Sequence, residues 1–253
     1  MIMKKIFLAA LCLLGLMAVP STANAQKLHA VAGLESSHLW RGLEVSKGVT
    51  LNNEFAISDN NNHFRFGFWG GIQIDGDYKE ADWYASYTTG GFNIALWDIY
   101  NFSDGIYSNE KQYRYFNWDN HNTGHFLDLS IGYNFGKKFP LQLTWATIIA
   151  GRDRGVLNKQ QLYTTWVQAA YTVYENDQWK FDASVAGNFA LNNYEANDGR
   201  TFYGDNAGIN DIRLGATYKL KIGKHPMPIT SQMMFNPEAN KAYFRVAINL
   251  LDL

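Results

Sequence analysis

The 253-residue sequence is short of cysteine, proline and charge, and each scarcity removes a class of explanation. Its single cysteine, Cys12, sits in an apolar N-terminal leader. The remaining chain can therefore form neither a disulfide nor a thiolate metal site. Only 18% of residues are charged, 22 basic against 23 acidic, for a net charge of −1. The basic excess of a nucleic-acid binder is missing. A mean hydropathy of −0.27 excludes a bundle of membrane-spanning helices over most of the chain. Aromatics are what the chain does have: 8 Trp, 15 Tyr and 16 Phe, with 22 Gly against only 5 Pro. Many rings and glycines with few charges read as a β-rich fold.

The first 25 residues read as a cleaved signal peptide. Lys4 and Lys5 precede an apolar run from Ile6 to Val19, which Pro20 breaks. Ala23-Asn24-Ala25 then gives a small-x-small cleavage site. The run is too short to span a bilayer comfortably, which disfavours an anchor helix as the alternative. Cys12 follows Leu11 in the middle of the run, the wrong place for lipidation. The exported domain is then 26–253, with 20 basic and 23 acidic residues once Lys4 and Lys5 are lost.

The dominant pattern of that domain has period two. Leu127, Leu129, Ile131, Tyr133 and Phe135 alternate with Asp128, Ser130, Gly132 and Asn134. Ile212, Leu214, Ala216 and Tyr218 alternate likewise with Arg213, Gly215 and Thr217. A strand separates such sets onto two faces, whereas a helix scatters them. The alternation predicts about twelve strands, near 28–39, 49–58, 64–74, 78–88, 91–100, 125–135, 141–150, 161–174, 178–190, 209–222, 227–235 and 241–251. Strands 91–100 and 227–235 alternate poorly. Many reach about ten residues, the length of a tilted membrane strand rather than of a soluble sheet.

Loop lengths sort by parity. The even connections, 59–63, 89–90, 136–140, 175–177 and 223–226, are all short, and the long ones, 101–124, 151–160 and 191–208, are all odd. Short periplasmic turns opposite longer extracellular loops are the pattern of a transmembrane antiparallel up-and-down β-barrel with both termini periplasmic. Apolar-face rings near the short turns, among them Phe64, Tyr133, Trp179 and Tyr218, fit an interfacial girdle. No acidic or basic residue falls mid-strand on an apolar face in the clear strands. The expected location is the cell outer membrane, with outer-membrane lipid and the barrel assembly machinery as partners.

Several stretches resemble the TorF-type family of bacterial porins: Leu39-Trp40-Arg41-Gly42 after the first strand, Glu80-Ala81-Asp82-Trp83-Tyr84-Ala85-Ser86-Tyr87, Trp97 with Tyr100, and Pro228 with Asn236-Pro237 before the final strand. The resemblance spans most of 26–253 and implies an outer-membrane barrel with a transport role. The chain departs from the pattern at its end, Leu250-Leu251-Asp252-Leu253, where such barrels often carry a terminal aromatic.

The polar faces collect Glu35, Glu54, Glu80, Asp82, Asp128, Asp182 and Asp211 with Arg65, Lys180, Arg213, Lys219 and Arg245. Two readings fit: a charged constriction selecting small hydrophilic solutes, or an ion-pair network that fills the lumen. A twelve-stranded barrel falls between filled and open ones. The early strands supply most carboxylates and the late ones most cations, so opposing walls and a transverse field are expected. Trp40 and Arg41 top the first strand, where the guanidinium would either meet anionic solutes or tie down its loop. Tyr107, Tyr113, Tyr115, Phe116 and Trp118 crowd loop 101–124 as a lid, a stacking surface, or a self-packed loop. Catalysis has no recognisable motif. A phospholipase-type barrel would need a Ser–His pair on the lipid-facing wall, and no histidine sits in one. No cofactor or metal is expected.

Overall fold

The structure is a computed structural model describing residues 26–192, 194 and 198–253. The leader 1–25 and its cleavage site lie outside the described residues. The first half of the chain forms β1 (Gln26–Glu35), β2 (His38–Trp40), β3 (Leu43–Ser46), β4 (Thr50–Asp59), β5 (Phe64–Gln73), β6 (Lys79–Thr89), β7 (Phe92–Ile99) and β8 (Phe126–Asn134). The second half forms β9 (Leu141–Gly151), β10 (Thr164–Glu175), β11 (Trp179–Ala190), β12 (Gly208–Tyr218), β13 (Lys221–Ile222), β14 (His225–Pro226), β15 (Ile229–Asn236) and β16 (Lys241–Asp252). Twelve of these strands close one antiparallel barrel in chain order, with β1 joining β4 to β16. The pairs β2–β3 and β13–β14 are small hairpins outside the ring.

The barrel is inside out. Its exposed large apolar residues occupy alternate positions, for example Ile131 and Tyr133 on β8, or Ile212, Leu214 and Tyr218 on β12. The buried residues include Glu35, Asp82, Asp128, Thr164, Asp211 and Asn236. Among the described residues, 20 polar or charged residues are buried against 15 hydrophobic ones. A soluble barrel would reverse that ratio, since water rewards polar exteriors and apolar cores. Near the short turns, rings join around the outer rim. Tyr133 meets Phe135 at 4.9 Å, Trp179 meets Phe181 at 5.8 Å, and Trp179 meets Tyr218 at 4.9 Å.

Every expected strand is present, and the departures are local. The first strand stops at Glu35 rather than at 39, because the chain turns at Ser36–Ser37 and His38–Trp40 pairs with Leu43–Ser46. The strand expected to reach 222 ends at Tyr218, and Ile222 pairs with His225 in the turn hairpin. Asp98, near the end of the poorly alternating strand β7, is an acid on the outer face. It sits opposite Trp83 and Leu127, both on the outer face.

Candidate functional site: the lumen and its septum

The hairpin β2–β3 folds into the upper lumen, at the end that carries the long loops. At its tip Arg41 and Gly42 both adopt positive φ, 44° and 85°. Gly42 also lies so close to the Asn210 carbonyl that a Cβ would meet it at 2.3 Å. Side chains from two barrel strands pin this tip. Asn210 on β12 donates to the Arg41 carbonyl at 2.9 Å, and Asn236 on β15 donates to the Gly42 carbonyl at 3.0 Å.

The Arg41 side chain crosses the lumen to β8, five strands away around the ring. Its Nη1 and Nη2 donate to Asp128 Oδ2 and Oδ1 at 2.5 and 2.8 Å, and Nη1 also reaches the Tyr203 hydroxyl at 2.5 Å. The rings of Trp40, Trp166 and Tyr203 surround the guanidinium at 4.8, 5.3 and 5.8 Å. Bidentate pairing and ring stacking are the contacts a guanidinium makes best when removed from water. Phe126, Ile148, Trp166, Ala186 and Tyr203 pack around the pair as an apolar cluster inside a mostly polar lumen. Burial pushes the Tyr203 hydroxyl pKa up, which the Arg41 charge partly offsets.

This layer lies between two cavities. The cavity at the short-turn end has a volume of about 1100 Å³ and is lined by Gln142, Gln168, Lys180, Asp182, Arg213 and Lys219 among others. The one at the long-loop end, about 1040 Å³, is bounded by Trp40, Glu44, Glu80, Arg154 and Tyr243. The two share no lining residue.

The charged residues read from the sequence point inward, and most are joined in local pairs. Arg245 meets Glu35 at 2.8 Å, Arg65 meets Glu54 at 3.3 Å, and Arg213 meets Asp211 at 2.6 Å. Lys180 meets Asp182 at 3.5 Å, and Lys219 meets Glu175 at 2.6 Å below the end of β12. The expected opposition of an acidic wall to a basic wall is therefore corrected, because each cation lies against a nearby carboxylate that cancels its field. Glu80 and Asp82 have no ion pair among the described residues. Asp82 instead accepts the Tyr100 N–H at 3.0 Å.

Sequence reading passed over three features. His29 Nε2 lies 2.8 Å from Ser58 Oγ, a Ser–His contact of the kind hydrolases use. It faces the lumen, and the Ser58 hydroxyl donates to Asn62 Oδ1 at 2.8 Å. His29 is then the donor, opposite to the role of a general base. Asp153, in the loop above β9, accepts the Thr164 N–H and hydroxyl at 2.7 and 2.8 Å. Burial pushes its carboxyl up to about 6, against those hydrogen bonds and the Arg152 charge. Asp98 pairs with His125 at 2.8 Å on the outer wall, beneath the rings of Tyr100, Tyr115 and Trp118.

The start of loop 101–124 lines the long-loop-end cavity through Asn101, Ser103 and Ile106. Tyr107 donates to the carbonyls of Asn101, at 2.5 Å, and Gly124, at 3.0 Å, packing the loop on itself. Its other side leans outward, where Trp83 Nε1 donates to the Tyr115 hydroxyl at 2.9 Å.

No family model matches the sequence, and no curated protein matches it. Among solved structures, an outer membrane channel from Pseudomonas putida F1 is 13% identical, with 92% of this chain and 95% of that one covered and a TM-score of 0.40. A mutant of the Rh. blastica porin is 10% identical, with 80% of this chain covered and a TM-score of 0.38. An engineered protein described by its asymmetric conductivity is 12% identical, with 80% of this chain covered and a TM-score of 0.37. The chain spans about half the length, 55%, of the last two.

Proposed function

We propose that the protein is an outer-membrane channel for small hydrophilic solutes, narrowed in its upper part by the Arg41 layer. The observation that carries this reading is an apolar exterior enclosing two cavities with charged walls, one at each end of the same barrel. A lipid-facing surface explains the exterior. Cavities rich in charge and amide groups suit hydrated solutes, since a solute there exchanges water for fixed dipoles. The Leu39–Gly42 and Glu80–Tyr87 motifs support placement among the TorF-type porins, and the apolar leader supports export.

The Arg41 layer itself favours a second reading, a plugged barrel with a structural or surface-binding role. A guanidinium locked to a carboxylate is a poor gate if nothing moves it. Planar-bilayer recording on folded protein separates the two. Channel events are expected from the wild type, with larger conductance from the uncharged pair Arg41→Ala with Asp128→Ala. Silence from both, with folding verified by heat-modifiable gel mobility, would leave the plugged barrel.

A further inference from the structure

The outer side of loop 101–124 carries a patch that none of the lumen chemistry uses. The patch acquires a meaning only if the barrel sits in a membrane, so its assignment rests on the outer-membrane function already proposed. Trp83 is the fifth residue of β6, about 13 Å along the strand from its upper end at ~3.3 Å per residue. Tyr115 reaches down the outer wall to that level. Trp83 in turn continues the apolar stripe of Phe66 and Phe68, at ring distances of 5.6 and 5.1 Å. The loop therefore lies against the upper part of the apolar wall. Phe116 beside Tyr115 is 88% exposed, and Trp118, stacked on His125 at 4.2 Å, is 52% exposed. Bare rings of this kind are costly in water and stable at the boundary between headgroups and acyl chains.

Two cations flank the rings. Lys111 lies in the 3-10 turn Glu110–Tyr113, and Arg114 caps it. With Tyr115, Phe116 and Asn122 they line a pocket of about 570 Å³. Asp119 also borders the pocket, but its carboxylate is taken up within the loop, accepting from Asn122 Nδ2 at 2.9 Å and the His121 N–H at 3.0 Å. Neither Lys111 nor Arg114 forms an ion pair among the described residues. The mount is firm. His121 and Asn158 exchange hydrogen bonds at 2.8 and 2.7 Å, tying this loop to the next one.

We infer that this pocket binds the phosphate of an anionic lipid in the outer leaflet. Arg114 supplies the planar fork and Lys111 a point charge, and the acyl chains run down along Phe116 and the Trp83 stripe. An aromatic floor beneath paired cations fits a headgroup joined to a tail better than it fits a soluble anion.

The test uses the full chain in phosphatidylcholine bilayers doped with phosphatidylglycerol, with retained anionic lipid counted by native mass spectrometry. Lys111→Gln with Arg114→Gln should weaken retention roughly 30-fold, about 2 kcal/mol at ~1.4 kcal/mol per factor of ten. Lys137→Gln with Lys138→Gln removes the same charge at the opposite rim and should leave retention unchanged. Equal effects of the two double variants, or none from the first, overturn the proposal. So does displacement of the lipid by inorganic phosphate at comparable concentration, which would assign the pocket to a soluble anion. Failure of the wild type to insert into undoped bilayers would instead sink the membrane reading, and the lipid site with it.

Discussion

A guanidinium held among three aromatic rings and a bidentate carboxylate has no water to turn to when its partner is removed. Asp128→Ala should therefore cost about 3–5 kcal/mol, the usual penalty for orphaning one member of a buried pair. Replacing both members, Arg41→Met with Asp128→Leu, should be close to neutral. Urea midpoints of the folded barrel in detergent measure both, and a loss below about 1 kcal/mol for the single variant would show that water reaches the site. Asp153 gives the residue scale a pH dependence. Its folded value of about 6 lies above the ordinary carboxylate value of about 4. The fold thus favours the protonated form. That contribution is fully present below about pH 4 and is lost as pH rises through 6, a change on the order of 3 kcal/mol. Tryptic cleavage at Arg154 and Lys159 should speed up between pH 5 and 7.5 more in the wild type than in Asp153→Asn. Identical pH profiles would mean that Asp153 is not what closes the loop. Both Arg41 and Asp128 stand out in the sequence, but their partnership spans 87 positions and is set by how the barrel closes. No local pattern could announce it.

Strands were the most legible part of the sequence, because the period-two signal survives wherever one face meets an apolar phase and the other does not. The misses share a cause. Leu39 and Trp40 prolong the alternation of β1, and Leu220 and Ile222 prolong that of β12, yet both stretches turn back on themselves as hairpins. Alternation reports that a segment is extended and two-faced, and says nothing of which neighbour it pairs with. Asp98 was obscured because β7 alternates poorly, and what covers it comes from a loop. The two-faced reading has a direct check. An arginine at mid-membrane on the outer face costs about 2–4 kcal/mol. Ile131→Arg and Leu214→Arg should abolish the heat-modifiable folded band, while Ser130→Arg, on the inward face, should keep it. Equal behaviour of all three would reverse the assignment of the faces.

Among the described residues most lumen charges cancel in short pairs, while Glu80 and Asp82 form none. The sorting of loops gives the molecule a direction. An epitope tag inserted in 101–124 should be reachable on intact cells and one in 136–140 should not, and the opposite labelling would turn the barrel over. The closure of the ring also orders assembly in time. β1 meets β4 over ten residue pairs but β16 over only five, with a bulge at Ala32–Gly33. These last partners stand at opposite ends of residues 26–253, so the short seam between them is the contact of greatest sequence separation and the latest available to a folding chain. Until it zips, two strand edges carry unpaired amides that a hydrocarbon phase will not tolerate. The ring therefore has no halfway state of comparable stability, and its weakest ladder sets the moment at which the barrel commits to the membrane.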